Sequence, residues 1–569
     1  MRQLERLTLL STLTAIVLSL SASAADWTNS GGNAGRNCRS TEVGPNMPAV
    51  IWSMSRPSII AWQPVTEGNR VYMVRQTGFP PSGEPNGSPV VCQDLTTGVE
   101  LWFAHVPFNT GDWTTWVAGV SNGRVYASRS GNGASVMAKL HCFDAATGAP
   151  LWMSVDPIDA GAYDGVVFAP NGDPIIGSFQ KIWRIDHLTG ATAWVTDRGA
   201  SVSGNCGVAV HGDAVYAADA APGGNVIKRF DLATGMFQYQ TPVMPGFLTQ
   251  QTPMVGPDGT VYLSRVQNNA AVDFFYAWTD TGTAFSPKWN VPAGYSAGAE
   301  FGVGPDGSVY HLAPGNEIHR LDPVTGMTLN TSGPIAADFM TPRFAIDAQG
   351  RVYFTNGAFS NGVLISFDAD LAVRWSVSVP NANIGGPVLG QNGTLVMAGI
   401  GTNVTAYRDS TVTTAYCPGD GSGLVACPCG NFGAPGHGCA SSVDPAGGRL
   451  QASGLASVSA DSVVLSGSGM PNAAVLYFQG TSQQGGGAGT VFGDGLRCAG
   501  GTIARLGTKL NAGGMSHYPE PGDVPISVRG QIPPAGGGRT YQAWYRNAAA
   551  FCTPSTFNLT NGVEFAWVP

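Results

Sequence analysis

A recurring turn-and-strand signature constrains this chain more than any other feature of its sequence. A glycine-containing turn leads into a short strand that reads Val-Tyr in its clearest copies, at residues 68–72 and 123–126. Further copies begin at Gly172, Gly212, Gly259, Gly307, Gly350 and Gly393. The copies recur at intervals of roughly 40 to 55 residues, which is a spacing typical of propeller blades. Asn-Gly and Asp-Gly pairs in several of these turns favour tight hairpins.

A second signature, Asp-x-x-Thr-Gly-x-x-x-Trp, follows most copies of the first. The Asp and Thr side chains can hydrogen-bond the backbone of a tight turn, glycine supplies its left-handed residue, and the aromatic side chain can wedge between sheets. The copies near Trp289 and Trp375 are degenerate. The structural repeat residues are Asp94, Gly98, Trp102, Asp144, Gly148, Trp152, Asp186, Gly190, Trp194, Asp231, Gly235, Asp322, Gly326 and Trp375.

The closure of the predicted ring depends on the start of the chain. The eighth strand pair, around residues 393–409, has no tryptophan after it. We expect the segment around Trp52 to supply the missing outer strand and to close the ring. The sequence therefore predicts an all-β fold in which residues 25–409 form an eight-bladed β-propeller of four-stranded blades.

The second signature resembles the PQQ-like, or quinoprotein-type, propeller repeat over roughly residues 45–410. The opening residues 26–33 resemble the lead-in of the same proteins. This family includes quinone-dependent alcohol dehydrogenases and non-enzymatic propellers such as the BamB type of the outer-membrane protein assembly machinery. The resemblance implies a propeller, and either activity is compatible with the fold.

The pattern changes after residue 409. We expect a linker over residues 410–416 and a smaller cysteine-containing β-sandwich over 417–569, because short apolar runs alternate with turn signals. Residues 427–431, 493–495 and 557–561 resemble a C-terminal module of exported proteins from planctomycete-type bacteria. That resemblance implies no chemistry.

The cysteines of this second region favour disulfides over zinc, because an exported protein meets an oxidising environment. The candidates are Cys417, Cys427, Cys429, Cys439, Cys498 and Cys552. Four lie close together with His437 nearby, so a zinc site is the alternative. Cys498 and Cys552 would complete a third pair, although the connectivity stays open. In the propeller, Cys92 and Cys142 share a repeat position and are predicted to be buried free thiols, whereas Cys38 and Cys206 are left undecided.

The N-terminus predicts export. Arg2 and Arg6 precede an apolar run, and residues 22–24 form a small-x-small cleavage site, so residues 1–24 are predicted to be a signal peptide. No second run of spanning length follows, which predicts no membrane span after its removal and a place in the periplasm, at the cell surface or outside the cell. The net charge of −8 argues against nucleic acid as a partner.

The sequence predicts no catalytic, cofactor-binding or metal-binding residues. The family's dehydrogenases carry two adjacent cysteines and a calcium-binding set beside the quinone, and neither can be matched here, so PQQ and Ca²⁺ are not supported. Ser121 lies in a G-x-S-x-G match, but in a repeat hairpin rather than a nucleophile elbow. Asp258 and Asp306 are interpreted as hairpin residues rather than Ca²⁺ ligands. Asp494 and Glu520 are likewise interpreted as turn residues.

These observations favour a non-enzymatic exported propeller that binds or scaffolds a partner protein or a cell-surface polymer. The first alternative is a quinone-dependent oxidoreductase with a divergent site. The second is a structural surface protein that is attached through its C-terminal module.

Overall fold

The computed structural model describes residues 26–54, 63–75, 89–107, 112–131, 137–159, 166–199, 207–246, 252–265, 269–294, 301–379, 381–383, 385–398, 404–409, 413–458, 461–548 and 551–567. The predicted signal peptide, residues 1–24, lies outside these residues, as does Cys206. The chain is all-β, as predicted. No helix in the described ranges is both long and apolar enough to cross a membrane.

In the described ranges, eight antiparallel blades of four strands follow one another along the chain, and in six of them the strands are consecutive. The strands of blades 1 to 4 are Val65–Glu67, Arg70–Val74, Val90–Asp94 and Glu100–Ala104; Asp112–Ser121, Arg124–Gly131, His141–Asp144 and Pro150–Met153; Val166–Phe168, Pro174–Gly177, Lys181–Ile185 and Thr192–Asp197; and Val208–His211, Ala214–Ala221, Gly224–Asp231 and Phe237–Gln240. A short strand, Met244–Pro245, also pairs with the third strand of blade 4. Outside the blades, Met137–Ala138 pairs with Ile158–Asp159.

The remaining blades complete the ring. Their strands are Met254–Val255, Thr260–Arg265, Phe274–Asp280 and Phe285–Pro292 in blade 5; Gly302–Val303, Val309–Ala313, Glu317–Leu321 and Thr328–Thr331 in blade 6; Arg343–Ile346, Val352–Thr355, Gly362–Phe367 and Val373–Val379 in blade 7; and Val388–Gly390, Thr394–Met397, Val404–Asp409 and Pro48–Met54 in blade 8. A single 3-10 turn, Gln391–Gly393, lies in blade 8.

The predicted closure of the ring is confirmed. Strand Pro48–Met54 pairs antiparallel with Val404–Asp409, from Pro48 opposite Asp409 to Met54 opposite Val404. The outer strand of the last blade therefore comes from the start of the described chain, so the first and last parts of the propeller are joined by a β-ladder.

The tyrosines of the first signature form the core between blades. They are at most 3% exposed, at the same position in the second strand of six blades: Tyr72, Tyr126, Tyr216, Tyr262, Tyr310 and Tyr353. Several lie against the tryptophan of their own outer strand, with ring centroids 5.8–5.9 Å apart, as in Tyr72 with Trp102 and Tyr353 with Trp375. The Val-Tyr pattern thus marks the strand that packs against neighbouring sheets.

The C-terminal module is a β-sandwich, as predicted. Its large sheet has strands Thr414–Tyr416, Gly562–Trp567, Gly537–Arg546, Ala474–Gln483, Ala499–Leu510 and Phe557–Leu559, and its small sheet has Arg449–Ser453, Val464–Ser468 and Ser516–Tyr518. The other elements are the ribbon Thr490–Phe492 with Gly495–Arg497, the 3-10 turn Gln484–Gly487 and the helix Ile526–Arg529. Thr414–Tyr416, assigned to the linker from sequence, pairs with Gly562–Trp567 and so belongs to the sandwich. Its Thr and Tyr residues suit a strand.

Candidate functional site

The repeat aspartates organise the turns between the third and fourth strands. Asp94 Oδ1 accepts hydrogen bonds from the backbone nitrogens of Thr96 and Thr97, at 3.0 and 2.8 Å, and from the Thr97 hydroxyl at 3.0 Å. Hydrogen bonds from Thr are the leading cause that lowers the pKa of four repeat aspartates, Asp144, Asp186, Asp231 and Asp322. These carboxylates are already occupied by their own turns.

Tryptophans of five outer strands connect their blade to the next one. Trp102 of blade 1 donates from Nε1 to the carbonyl oxygen of Ala145 in blade 2, at 3.1 Å, and its ring covers Gly148. A Cβ on Gly148 would lie 2.5 Å from the Trp102 ring. Four other tryptophans cover the glycine of the following turn in the same way: Trp52 over Gly98, Trp152 over Gly190, Trp194 over Gly235 and Trp289 over Gly326. The second signature therefore describes packing between blades.

A polar cluster replaces the tryptophan where blade 4 meets blade 5. Tyr239 stands at the tryptophan position, and its hydroxyl donates to Asp280 Oδ1 at 2.6 Å. Tyr216 and Arg229 donate to Asp280 Oδ2 at 2.6 and 2.9 Å. Burial acts to raise the pKa of Asp280, but these hydrogen bonds and the Arg229 charge outweigh it, so the pKa is lowered. Sequence reasoning missed Asp280; the tyrosine at position 239 was the available signal.

The residues before the first blade form an irregular segment, 26–44, which we call the N-terminal strap. Its carbonyl oxygens accept backbone hydrogen bonds of 2.7–3.0 Å from the innermost strands of six blades. The pairs, donor first, are Thr66 with Trp27, Val120 with Thr28, Val210 with Ala34, Val255 with Gly35, Val303 with Asn37 and Ile346 with Cys38. The strap thus follows the ring on the face that carries the hairpins between first and second strands.

Two buried side chains hold the strap in place. Arg36 donates from Nε to the carbonyl oxygen of Val208 at 2.7 Å and from Nη1 to that of Ser30 at 2.9 Å. Asn37 donates from Nδ2 to the carbonyl oxygen of Val255 at 2.9 Å. Charged and amide donors on buried carbonyls are costly to remove, because the carbonyls would lose their partners. The strap is therefore a fixed part of the propeller.

Three carboxylates cap hairpins on this face. Asp26 accepts from the Gly68 nitrogen at 2.8 Å, Glu67 from the Gly123 nitrogen at 3.1 Å, and Glu42 from the Gly393 nitrogen at 3.1 Å. Burial raises the pKa of Asp26 and of Glu67 despite these hydrogen bonds. Each carboxylate carries a backbone bond across a boundary between elements, which is a structural role.

The strap and the hairpin ends of blades 3 to 5 enclose an open concavity of about 730 Å³, which we call the axial bowl. Its lining includes the polar side chains of Arg39, Asn33, Thr41 and His211. Thr41 is exposed, whereas Arg39 is half-buried and has no carboxylate partner among the residues that the structure describes. A concave surface with a few convergent polar groups is the usual form of a binding site.

Ser121, which the sequence analysis weighed as a nucleophile, and Asp258 and Asp306, which it weighed as Ca²⁺ ligands, each lie in a hairpin of their own. Ser121 pairs with Arg124 in a hairpin whose turn residues, Asn122 and Gly123, have φ of 51° and 70°. A strand follows it rather than the helix of a nucleophile elbow. Asp258 and Asp306 each accept hydrogen bonds from a residue two positions on, Thr260 and Ser308, and so shape their own hairpins.

The acidic residues of the sandwich are also structural. Asp494 is buried and accepts from Asn547 Nδ2 at 2.8 Å and from Thr553 Oγ1 at 2.7 Å. Glu520 pairs with Lys509 at 2.7 Å. Within the described ranges, no group of three His, Cys, Asp or Glu side chains is arranged to hold a metal ion.

The six C-terminal cysteines form three disulfides: Cys417–Cys498, Cys427–Cys439 and Cys429–Cys552. The third pair expected from sequence, Cys498 with Cys552, is wrong, because each bonds to a cysteine of the 417–439 cluster. The fold explains the pairing: Cys417 directly follows the edge strand Thr414–Tyr416, and the Tyr416 hydroxyl donates to the carbonyl oxygen of Cys498. Because these cysteines are bonded to one another, they offer no thiolate ligands for the zinc site that was the alternative.

Cys92 and Cys142 are buried free thiols. Burial raises the pKa of each to about 12, so neither is a thiolate near neutral pH. Cys38 is buried in the strap, and its relationship to Cys206 stays open because that residue lies outside the described ranges.

Comparison with known proteins finds one family model and several solved structures that are similar to the propeller part of the chain. Residues 86–332 match the PQQ-like family described as "Outer membrane protein assembly factor BamB". Quinohemoprotein alcohol dehydrogenase from Comamonas testosteroni is similar at 12% identity and a TM-score of 0.51, covering 68% of this chain and 81% of that one. BamB from Moraxella catarrhalis is 13% identical with a TM-score of 0.44, covering 64% of this chain and 100% of that one. No curated protein matches the chain.

Proposed function

We propose that this chain, whose first part is a PQQ-like β-propeller, is an exported non-enzymatic module that binds a partner protein at the axial bowl. The observation that carries the proposal is the N-terminal strap. Its backbone is bonded to six innermost strands, so the bowl above it is held in one shape before any partner arrives. A preformed surface binds with little loss of conformational entropy.

The polar lining supports a protein partner. Arg39 offers a guanidinium without a carboxylate partner among the described residues, and His211 and Thr41 add hydrogen-bonding groups. Arginine is enriched in protein interfaces, where its planar fork can bind carboxylates and carbonyls. The family match is described as an assembly factor, and we extend the idea of a protein partner from that family to this chain.

Export is part of the same proposal. Three disulfides crosslink the C-terminal module, and disulfide bonds persist in oxidising compartments. The predicted signal peptide agrees with this compartment. We place the protein in the periplasm or outside the cell.

We further infer that the bowl catalyses no reaction of its own. Asp26 already accepts the Gly68 nitrogen, and no described nucleophile in the bowl faces a base. Activation of a nucleophile requires a base within hydrogen-bonding reach.

Site-specific photo-crosslinking tests the binding site. A photoreactive amino acid is placed at Thr41 in the bowl or, as the control, at Val99, which is 60% exposed on an outer turn. We expect one adduct of defined mass from position 41 in exported fractions of the source cells, and none from position 99. Arg39→Glu should abolish the adduct, whereas Lys181→Glu, outside the bowl, should leave it. An adduct that survives Arg39→Glu contradicts the proposed site.

The quinone-dependent alternative is tested on the same protein. PQQ is titrated into it with Ca²⁺ while the quinone absorbance is recorded, and alcohol oxidation is assayed with an artificial electron acceptor. We expect no saturable binding at micromolar quinone. Turnover that requires both PQQ and Ca²⁺ would overturn the non-enzymatic proposal.

A further inference from the structure

The C-terminal module carries a groove that plays no part in the propeller. It lies on the face of the large sheet that points away from the core of the sandwich, with a volume of about 620 Å³. Its floor is apolar, because Leu476 and Trp544 lie opposite each other on neighbouring strands with Phe478 and Leu559 beside them. An apolar concavity on an outer sheet face indicates an interaction site.

An aromatic wall stands at one end of this groove. Phe557 lies between Phe492 and Trp544, with ring centroids 4.8 and 5.4 Å away. Phe492 is 43% exposed, and Ile503 across the groove is 37% exposed. Aromatic rings that are fixed by neighbours and open on one side supply contact area at little entropic cost.

Three arginines surround the apolar floor. Arg546 lies over the Trp544 ring, 5.1 Å from its centroid, and Arg497 donates from Nε to the carbonyl oxygen of Ala499. Arg505 is exposed in the edge strand. No acidic residue lines the groove, and none of the three arginines has a carboxylate partner among the described residues. The groove is therefore a patch of uncompensated positive charge on an apolar base.

The backbone hydrogen-bonding groups of the strand under the groove floor are already paired with neighbouring strands. Strand Ala474–Gln483 pairs with Ala499–Leu510 on one side and with Gly537–Arg546 on the other. A peptide that binds by adding a strand needs free backbone donors and acceptors, and the strand under the groove has none left; only the outer side of the edge strand Ala499–Leu510 could supply them, away from the apolar floor. A ligand that lies on the floor must therefore bind through guanidinium groups and aromatic faces.

We propose that this groove binds an acidic polysaccharide, with uronate carboxylates on Arg497, Arg505 and Arg546 and sugar faces against the aromatic wall. The planar guanidinium fork matches a carboxylate, and a sugar chain needs no backbone pairing. This inference concerns the C-terminal module and does not depend on the proposed function of the propeller. It gives the module a means of attachment to a surface polymer.

The experiment measures binding of full-length protein to sodium polygalacturonate by isothermal titration calorimetry. Arg505→Glu with Arg546→Glu should weaken binding by about tenfold or more, because two charge-assisted contacts become repulsive. The matched control, Arg449→Glu, reverses an exposed charge on the small sheet and should change Kd by less than about twofold. Phe492→Ala leaves the charge unchanged and should weaken binding by about threefold or more.

Comparison polymers separate the alternatives. Neutral dextran should not bind, and poly-L-glutamate should bind at least about tenfold more weakly than polygalacturonate. Melting curves recorded by circular dichroism show that each variant is folded. Absence of polygalacturonate binding, equal losses in the groove and control variants, or equally tight binding of poly-L-glutamate would each overturn the proposal.

Discussion

The Nε1 atom of Trp52 donates a hydrogen bond to the main-chain oxygen of Leu95, 2.9 Å away. Trp52 lies in the outer strand of blade 8, and Leu95 follows the third strand of blade 1. The same indole covers Gly98 in the turn of blade 1, and only 8% of it is exposed. The ring is therefore closed twice, by the β-ladder within blade 8 and by this tryptophan across the boundary between blades 8 and 1.

Truncation of Trp52 should weaken the closed ring. Trp52→Ala is expected to lower the free energy of unfolding by about 3–5 kcal/mol, because it removes a buried ring and leaves a cavity. Trp52→Phe keeps much of the burial and mainly loses the bond to Leu95, so its cost should be smaller. Urea denaturation followed by circular dichroism measures both. Val50→Ala, on the same strand with 49% of its side chain exposed, is the control. If Trp52→Ala lowered the free energy of unfolding no more than the control does, Trp52 would not stabilise the closure of the ring.

A pair of glycine substitutions isolates the tryptophan–glycine contact. Gly148 and Gly123 both have positive φ, 72° and 70°, so alanine is strained at either position. Only at Gly148 would the new Cβ meet a ring, since the space beside Gly123 is open. Gly148→Ala should therefore cost about 1–3 kcal/mol more than Gly123→Ala, the usual cost of overpacking. Equal losses in urea denaturation would show that backbone strain alone requires the glycine.

The blades and their boundaries could be predicted from sequence because their chemistry is local. An Asp that accepts from a Thr three positions later and a Gly with positive φ make a turn that can be recognised without knowledge of the rest of the fold. The closure around Trp52 could also be predicted, since the eighth blade lacked an outer strand. The β-sandwich followed from short apolar runs alone.

The axial bowl and the disulfide pairing could not be predicted, because both depend on contacts between distant residues. The strap binds innermost strands through its carbonyl oxygens, which any residue supplies, so its sequence shows no periodic pattern. Asp280 at the boundary of blades 4 and 5 was missed because its partners, Tyr216, Arg229 and Tyr239, come from another blade. The disulfide partners of Cys498 and Cys552 likewise depend on how the fold brings distant parts of the chain together.

Acid should destabilise the protein partly through His311. Burial, reinforced by the neighbouring His319, lowers the pKa of His311 to about 3 from an ordinary value of 6.5. Between pH 6.5 and about 3, the His311 imidazole is therefore protonated in the unfolded chain but neutral in the folded chain. This contribution is absent above pH 6.5, and stability is lost progressively as the pH falls from 6.5 towards 3. His141, whose pKa burial lowers to about 4, acts in the same direction.

The pH dependence can be assigned by substitution. His311 stacks on Phe275 with ring centroids 5.1 Å apart, so His311→Phe fills the site with another flat ring. Its free energy of unfolding should fall less steeply than that of the unaltered protein between pH 6.5 and 4. His517→Phe, at an exposed position, is the control. Parallel curves for the protein and for His311→Phe would refute this assignment.

Two disulfides of the C-terminal module should differ in their contribution to its stability. Cys427–Cys439 closes a loop of 12 residues, whereas Cys429–Cys552 spans 123. In the unfolded chain, the Cys417–Cys498 bond shortens the loop that Cys429–Cys552 closes. That loop is still several times longer than the loop that Cys427–Cys439 closes. Because the entropy that a crosslink removes from the unfolded chain grows with loop length, serine replacement of Cys429 and Cys552 should cost roughly 1–2 kcal/mol more than replacement of Cys427 and Cys439. Calorimetry of full-length protein measures both losses, and the propeller transition serves as the internal reference. If the short loop proves the costlier to open, packing around Cys439, rather than chain entropy, determines the stability of this module.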